Sequence, residues 1–158
     1  MARYNSWANR RLYDAASALT RQDYFADKGA FFKSVHGTLN HLLVADRIWM
    51  ARFTGIGAPA ARLDAILFSE LTNLRRAREA EDAKIIEYIA GLGDADLTSA
   101  ITYRRASTPE NFVQELKLAL VHFFNHQTHH RGQVHAILTA LVGHAPELDH
   151  LFFQRASG

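Results

Sequence analysis

Histidine is the residue type best placed to do chemistry in this sequence, because four of its nine histidines fall between positions 122 and 130. At about 100° per residue along an α-helix, His126 and His130 lie about 40° apart, and His122 and Gln133 fall on the same face. Histidines at i and i+4 can direct their imidazoles at one point about 2.0–2.1 Å away, as helical HxxxH pairs do around zinc. The spacing therefore indicates a metal site.

A third ligand is available in His41, which lies at the edge of the apolar stripe of an earlier periodic segment, whereas His36 is expected to point away from it. Three histidines plus a water or substrate form the arrangement of catalytic zinc, while a structural site more often closes the fourth position. The chain has no cysteine, which excludes thiolate ligands and disulfides. We predict a metal held by His41, His126 and His130, with Gln133 either orienting an imidazole or packing between helices.

Other interpretations of the histidines remain open at this point. An exposed histidine run without a metal is one, because i,i+4 pairs also arise by chance. A zinc protease would carry glutamate where Gln127 stands, and a di-iron bundle would need two ExxH motifs within its main helices. Haem ligation is a third possibility, although three convergent imidazoles favour a small ion. The remaining histidines are expected at exposed or capping positions, namely His122, His129, His135, His144 and His150.

Four long segments with helical periodicity must position these residues, so the predicted fold is an all-α four-helix bundle. We expect the helices to cover about 2–18, 34–54, 69–90 and 115–142, with Ser34 and Ser69 as N-caps and glycines at the ends. Residues 22–30 are interpreted as a loop, and 147–155 as a short amphipathic segment packed on the bundle. Alternation around the turn at 107–111 favours a short β-hairpin before the last long helix, although Thr108-Pro109-Glu110 also resembles a helix start.

The third periodic segment is unusual because its apolar stripe is interrupted by Arg78 and Glu81. Either these side chains form a polar pocket inside the bundle, or this stretch of helix faces water. Charged residues usually face water, so we favour the solvated interpretation.

Bulk properties bound the class of protein. At 158 residues the chain fits one domain, 1–158, and its 48% hydrophobic and 22% charged residues are ordinary for a globular protein. No apolar run approaches the roughly 18 residues of a membrane span, and the first residues lack the core of a signal peptide, so a cytoplasmic protein is expected. The formal charge of +2 indicates no nucleic-acid footprint.

The sequence closely resembles the DinB family in two segments, HQTHHRGQ at 126–133 and NHLLVADR at 40–47. The resemblance implies a bundle of up-down-down-up connectivity, often a homodimer, with a divalent metal on one histidine of the second long helix and two of the last. Those positions match His41, His126 and His130. The family is also similar to a wider group with mycothiol-dependent maleylpyruvate isomerase and bacillithiol S-transferases, in which the metal activates a low-molecular-weight thiol.

Two functions follow as expectations. The first is a metal-dependent enzyme that holds Zn²⁺ or Ni²⁺ and acts on a small-molecule substrate. Its reaction would be like that of a thiol S-transferase, which joins a low-molecular-weight thiol to the substrate, or like that of a hydrolase. The second is a non-catalytic metal-binding or sensing module, in which a dimeric bundle is stabilised by its metal. Neither binds nucleic acid or a membrane.

Overall fold

The computed structural model describes residues 1–57, 62–104 and 110–157. Its elements, in chain order, are α1 Ala2–Ser17, α2 Arg21–Phe25, α3 Val35–Thr54, α4 Leu71–Ala90, α5 Asp94–Leu97, β1 Ala100–Arg104, β2 Asn111–Glu115, α6 Leu116–Val142 and α7 His150–Ser157. The four long helices are α1, α3, α4 and α6, as the periodicity predicts. Among the described residues, none of the helices combines the length and apolar character that crossing a membrane requires.

Local signals in the sequence set the limits of the two helices that carry the histidines. The Ser34 hydroxyl accepts a hydrogen bond from the Gly37 amide at 3.1 Å and so satisfies a free donor at the start of α3. Gly55 and Gly143 end α3 and α6 in left-handed conformations, at φ 71° and 78°, which cost glycine little because it has no Cβ. The predicted cap at Ser34 and both glycine stops are confirmed.

Side-chain contacts fix the helix directions. Asn9 of α1 bonds Asp82 of α4, and Asp14 pairs with Arg75, so these two helices run antiparallel. Helices α3 and α4 are parallel, because Asp46 pairs with Arg78 near the middle of both helices and Phe53 stacks on Tyr88 further along both. Helices α3 and α6 are antiparallel, since His41 contacts His130 and the later residue Phe53 contacts the earlier residue Phe123. The result is the up-down-down-up bundle that the family resemblance implies.

Two apolar clusters fill the bundle at different heights. One is built around Leu12, Leu39 and Leu138, and the other around Met50, Ile85 and Phe123. Between them, every long helix contributes buried polar or charged side chains, which we call the polar layer: Asn5, Asn9, Asp46, Arg78, Asp82, Gln127 and Arg131. Buried charges are costly unless they are paired. The layer contains two arginines and two aspartates, so its formal charges balance.

The polar layer corrects the interpretation of the third long helix. Arg78 is 2% exposed and Glu81 is 3% exposed, so the solvated interpretation is wrong and the alternative of a polar interior is right. Arg78 lies 2.5 Å from Asp46 and 3.0 Å from Asp82, while Glu81 is 3.6 Å from Arg47. The charge of a side chain predicts that it is exposed only where a neighbouring helix supplies no partner of opposite charge.

Smaller differences concern the connections. The stretch interpreted as a loop at 22–30 begins inside a short helix, α2, whose cap is the Thr20 hydroxyl accepting from the Asp23 amide at 3.1 Å. Helix α4 is capped at Glu70, one residue beyond the predicted Ser69. The final amphipathic segment is helix α7, which begins three residues later than predicted.

The predicted hairpin is present. Strands β1 and β2 are antiparallel, with Ala100 opposite Glu115 and Arg104 opposite Asn111. The predicted turn begins at Ser107, and its residues 107–109 lie outside the described residues. Because β2 is followed at once by α6, the hairpin lies at the start of the helix that carries His126 and His130.

Candidate metal centre

The bundle brings His41, His126 and His130 together, although the first is 85 residues from the second. The Nε2 atom of His41 lies 3.4 Å from Nε2 of His126 and 3.2 Å from Nε2 of His130. One ligand atom from each residue falls within 4.8 Å of the other two. His41 and His130 are buried and His126 is partly buried. These three side chains could therefore hold one metal ion.

The spacing of the nitrogens suits a four-coordinate ion. In a regular tetrahedron with metal–nitrogen bonds of about 2.0–2.1 Å, neighbouring ligand nitrogens are about 3.3 Å apart. The two Nε2 separations at His41, 3.2 and 3.4 Å, bracket that value. The donor set therefore fits a transition metal such as zinc.

Hydrogen bonds on the far side of two imidazoles fix their tautomers. His41 Nδ1 lies 2.8 Å from the Leu63 carbonyl oxygen, which can only accept, so the proton is on Nδ1. His130 Nδ1 lies 2.8 Å from Oε1 of Gln133, also an acceptor. Both Nε2 atoms therefore present lone pairs to the same point. Two unprotonated nitrogens 3.2 Å apart cannot hydrogen-bond to each other, so a cation between them would stabilise this geometry.

The Gln133 side chain connects His130 to a second histidine. Its Oε1 accepts from His130, and its Nε2 lies 3.2 Å from Nε2 of His129. Metal-bound histidines usually give their second nitrogen to such a partner, which sets ring orientation and ligand basicity. Gln133 thus contacts a triad imidazole, and its role in orienting that ring stays a prediction.

Burial keeps the triad neutral at physiological pH. It lowers the pKa of His41 to about 4, against the opposing hydrogen bond to Leu63. It lowers the pKa of His126 to about 3, and the neighbouring His130 and His41 add to the effect. The pKa of His130 is also lowered by burial, although its bond to Gln133 opposes the change. Neutral imidazole is the form that binds metal.

The carbonyl that orients His41 belongs to a connection held by α3 itself. Asn40, fully buried, accepts from the Leu67 and Phe68 amides at 2.9 and 3.1 Å and donates to the Phe68 carbonyl at 3.2 Å. His36 was expected to point away, but it is 8% exposed and its Nε2 lies 3.1 Å from the Phe68 carbonyl oxygen. The residue before His41 therefore fixes the connection that carries Leu63.

One wall of the site is an aromatic ring. Phe32 stacks on His41 with ring centroids 3.7 Å apart and planes 15° apart, and its ring lies 5.5 Å from that of His130. A tight turn presents it: Lys33 has φ 68°, and its amide bonds the Ala30 carbonyl at 2.7 Å. The Phe32 carbonyl approaches Gly37 so closely that a Cβ there would clash. Sequence reasoning missed Phe32, for which the glycine in the first turn of α3 was the available signal.

The polar layer reaches the site through Gln127, the neighbour of His126. The Gln127 amide donates to Asp46 at 2.7 Å, and Asp46 is held by Arg78 at 2.5 Å. Arg131, next to His130, bonds the Asn5 amide oxygen. Two neighbouring faces of α6 thus differ in role: His126 and His130 face the candidate metal centre, while Gln127 and Arg131 face the buried layer. This anchoring sets the rotation of α6 that points both histidines at His41.

Four of the five other histidines predicted at exposed or capping positions are exposed, whereas His135, inside α6, is not. His122, His129, His144 and His150 are exposed, and His135 is partly buried. His122 nevertheless lies one turn from His126, with ring centroids 5.8 Å apart.

Comparison with known proteins agrees with the fold. A protein of Bacillus subtilis (strain 168), Protein DinB, is 29% identical over 141 residues, which cover 85% of this chain and 80% of that protein. The crystal structure of a conserved protein from Enterococcus faecalis shares the fold, with a TM-score of 0.65 at 14% identity, over 90% of this chain and 95% of that one. The model of the DinB family matches residues 1–157. The chain belongs to the DinB family.

Proposed function

We propose that this protein is a metal-dependent enzyme in which His41, His126 and His130 hold a divalent ion, Zn²⁺ or Ni²⁺, with one coordination position left for a small molecule. The observation that carries the proposal is that Nε2 of His41 lies 3.2 Å from Nε2 of His130 and 3.4 Å from Nε2 of His126. Among the described residues, no fourth histidine or carboxylate joins the group. An incomplete set of protein ligands is typical of catalytic sites.

The bound ion would supply a Lewis acid and lower the pKa of a thiol or water that it binds. The chain contributes the rest. His41 and His130 are held by Leu63 and Gln133 in the tautomers that bind metal. Phe32 covers one side of the His41 ring and keeps water from it. The reaction we propose is attack of a low-molecular-weight thiol on a small-molecule substrate, in which a bond to sulfur forms, the bond to a leaving group breaks and the thiol proton is given up. Hydrolysis of a small molecule, with water in place of the thiol, is the other reaction such a site supports.

Three imidazoles favour zinc, nickel or copper over magnesium and calcium, which prefer oxygen ligands. The nitrogen separations suit tetrahedral zinc, and nickel binds imidazole tightly in the same series. Zinc and nickel are therefore the ions to test first.

The test is elemental analysis of tag-free protein beside His41→Ala and His130→Ala variants, with His144→Ala as the matched control because His144 is exposed. We expect about one ion per chain in the wild type and the control, and a loss of it in both triad variants. Absence of stoichiometric metal, or metal retained by both triad variants, would refute the site.

A second measurement separates an enzyme from a non-catalytic module. Cobalt replaces zinc in nitrogen sites and has a visible spectrum that responds to a new ligand. A shift on addition of a thiol supports the open position, whereas a spectrum that no thiol changes favours the metal-binding or sensing module.

A homodimer is part of the proposal, because the family resemblance implies it. The apolar side chains Leu118 and Val121 on α6 and Val113 on β2 are all more than half exposed, which is compatible with coverage by a second copy. Sedimentation velocity at several protein concentrations tests the oligomeric state.

A further inference from the structure

Two polar contacts lead from the candidate metal centre to an exposed histidine on the same helix. Gln133 lies three residues after His130 and four after His129, so both imidazoles are its neighbours one turn earlier on α6. Its Oε1 lies 2.8 Å from Nδ1 of His130, and its Nε2 lies 3.2 Å from Nε2 of His129. His129 is exposed and Gln133 is partly buried. One amide thus joins a buried triad imidazole to a side chain at the surface.

The amide links the protonation patterns of the two rings. A side-chain amide accepts at its oxygen and donates at its nitrogen, so its two ends need partners of opposite kind. Metal binding through Nε2 of His130 places the ring proton on Nδ1, and that proton needs the amide oxygen. The amide nitrogen then faces His129 and donates to it. His129 must therefore accept at Nε2 and carry its own proton on Nδ1.

The opposite order of donors and acceptors is incompatible with a metal ligand at His130. If the Gln133 amide turned over, its nitrogen would donate to Nδ1 of His130, and the ring proton would be on Nε2. That nitrogen lies 3.2 Å from Nε2 of His41, on the side where the metal would bind. A protonated nitrogen has no lone pair for a metal. The orientation of one amide therefore decides whether His130 can bind the ion.

His129 holds an acceptor at the place where the productive orientation needs one. Water could accept there instead, but an ordered water loses entropy, and water would satisfy a reversed amide equally well. The His129 ring packs edge-to-face against His130, with centroids 4.9 Å apart and planes at 78°. This contact and the helix itself keep Nε2 of His129 beside the Gln133 nitrogen.

We infer that His129 is a positioning residue of the metal centre. It acts through Gln133, accepting from the amide and so holding His130 in the tautomer that binds metal. His129 lies outside the group of three candidate ligands. This inference rests on the proposed function, because it requires the metal, and it adds a residue that the triad does not include.

The test measures zinc affinity, by competition with a chelating dye, in His129→Ala, His129→Gln and His129→Lys. These changes leave the Gln133 amide with no side-chain partner, with a carbonyl acceptor, or with donors alone. Asn125→Lys is the matched control for charge, because Asn125 is exposed and precedes His126 as His129 precedes His130. His129→Ala is also made in the Gln133→Ala background, in which the amide is absent.

We expect His129→Ala to weaken zinc binding about three- to tenfold, as the loss of one neutral hydrogen bond does. His129→Gln should restore part of that loss. His129→Lys should weaken binding more than Asn125→Lys, because only the former opposes the amide. In the Gln133→Ala background, His129→Ala should have no further effect. Wild-type affinity in His129→Ala, equal losses in both backgrounds, or equal effects of His129→Lys and Asn125→Lys would overturn the inference.

Nuclear magnetic resonance of the zinc-loaded protein gives a second readout. The Nδ1 proton of His130 should exchange slowly with water while Gln133 accepts it. His129→Ala should speed that exchange, whereas His144→Ala, at an exposed position, should not. The same exchange rate in His129→Ala as in the wild type would count against a role for His129.

Failure of the proposed function has a different signature. If the wild type binds no zinc, the metal proposal and this inference fall together. If zinc binds but no thiol changes the spectrum of the cobalt form, the enzyme is refuted and the zinc affinities still decide the role of His129. If thiols change that spectrum while His129→Ala binds zinc as the wild type does, only this inference fails.

Discussion

The side-chain amide of Asn40 pairs with the backbone of Phe68 as another peptide group would, accepting from its N–H at 3.1 Å and donating to its carbonyl at 3.2 Å. The next residue, His41, binds the Leu63 carbonyl in the same connection. Two consecutive side chains of α3 therefore order one segment, and that segment in turn orients a triad imidazole.

The first prediction concerns Asn40→Ala. The change leaves the Leu67 and Phe68 amides without their buried acceptor, so the free energy of unfolding should fall by about 2–3 kcal/mol. Release of Leu63 should also weaken zinc binding about tenfold or more. Urea unfolding and competition with a chelating dye measure the two effects. Asn73→Ala, at an exposed position of α4, is the control, and wild-type zinc affinity in Asn40→Ala would contradict the coupling.

The second prediction separates the two roles of Gln133. Because its Oε1 accepts from His130 Nδ1, Gln133→Ala should lower zinc affinity about ten- to a hundredfold. Gln133→Glu keeps an acceptor at that position and should retain or strengthen binding. Chelator competition measures both variants. If both changes lower affinity equally, Gln133 acts through helix packing instead.

The third prediction compares two glycines. A Cβ at Gly37 would clash with the Phe32 carbonyl, so Gly37→Ala should displace the turn and destabilise the protein by about 1–3 kcal/mol. At Gly132, inside α6, a Cβ would meet no atom within 4 Å. Gly132→Ala should therefore stabilise the protein by about 0.5–1 kcal/mol, because alanine favours the helix. Thermal and urea unfolding of both variants check the signs, and destabilisation by both would show that the contact at Phe32 is not the cause.

The fourth prediction is a pH dependence of the metal-free protein. His41 has a pKa of about 4 in the folded state and an ordinary value of 6.5 when unfolded, so between these values the unfolded chain binds more protons. Its contribution to stability is complete above about pH 6.5 and is lost as pH falls towards 4. In EDTA, we compare the free energy of unfolding of the wild type with that of His41→Gln. The difference between the two should fall by up to about 1.4 kcal/mol for each unit by which the pH is lowered in that range. A difference that does not change with pH would contradict the lowered pKa.

Much of the metal centre could be predicted from local features. The i,i+4 spacing of His126 and His130 fixes their common face once the segment is helical, whatever surrounds it. The cap at Ser34 and the stop at Gly143 depend on backbone groups within a few residues of each. Local geometry also predicts that a hairpin precedes α6, since alternation and turn residues are read over a short stretch.

Other residues could not be placed in this way, because their environment comes from distant parts of the chain. Arg78 carries the charge of a surface residue, and its burial is stable because it pairs with Asp82 one turn further on and with Asp46, which lies 32 residues earlier on another helix. His36 is buried because the 62–68 segment folds back over α3. Phe32 contacts His41 through a tight turn that the residues of the turn do not predict.

The sequence by itself therefore determined the long helices, the shared face of two histidines and, through the motifs around His41, the family and three candidate ligands. The tertiary structure decided that His41 meets His130 at 3.2 Å, which tautomers they adopt and which charges are buried. The physical reason is range: periodicity and capping act within one or two helical turns, whereas desolvation and pairing of polar groups depend on which helices pack together.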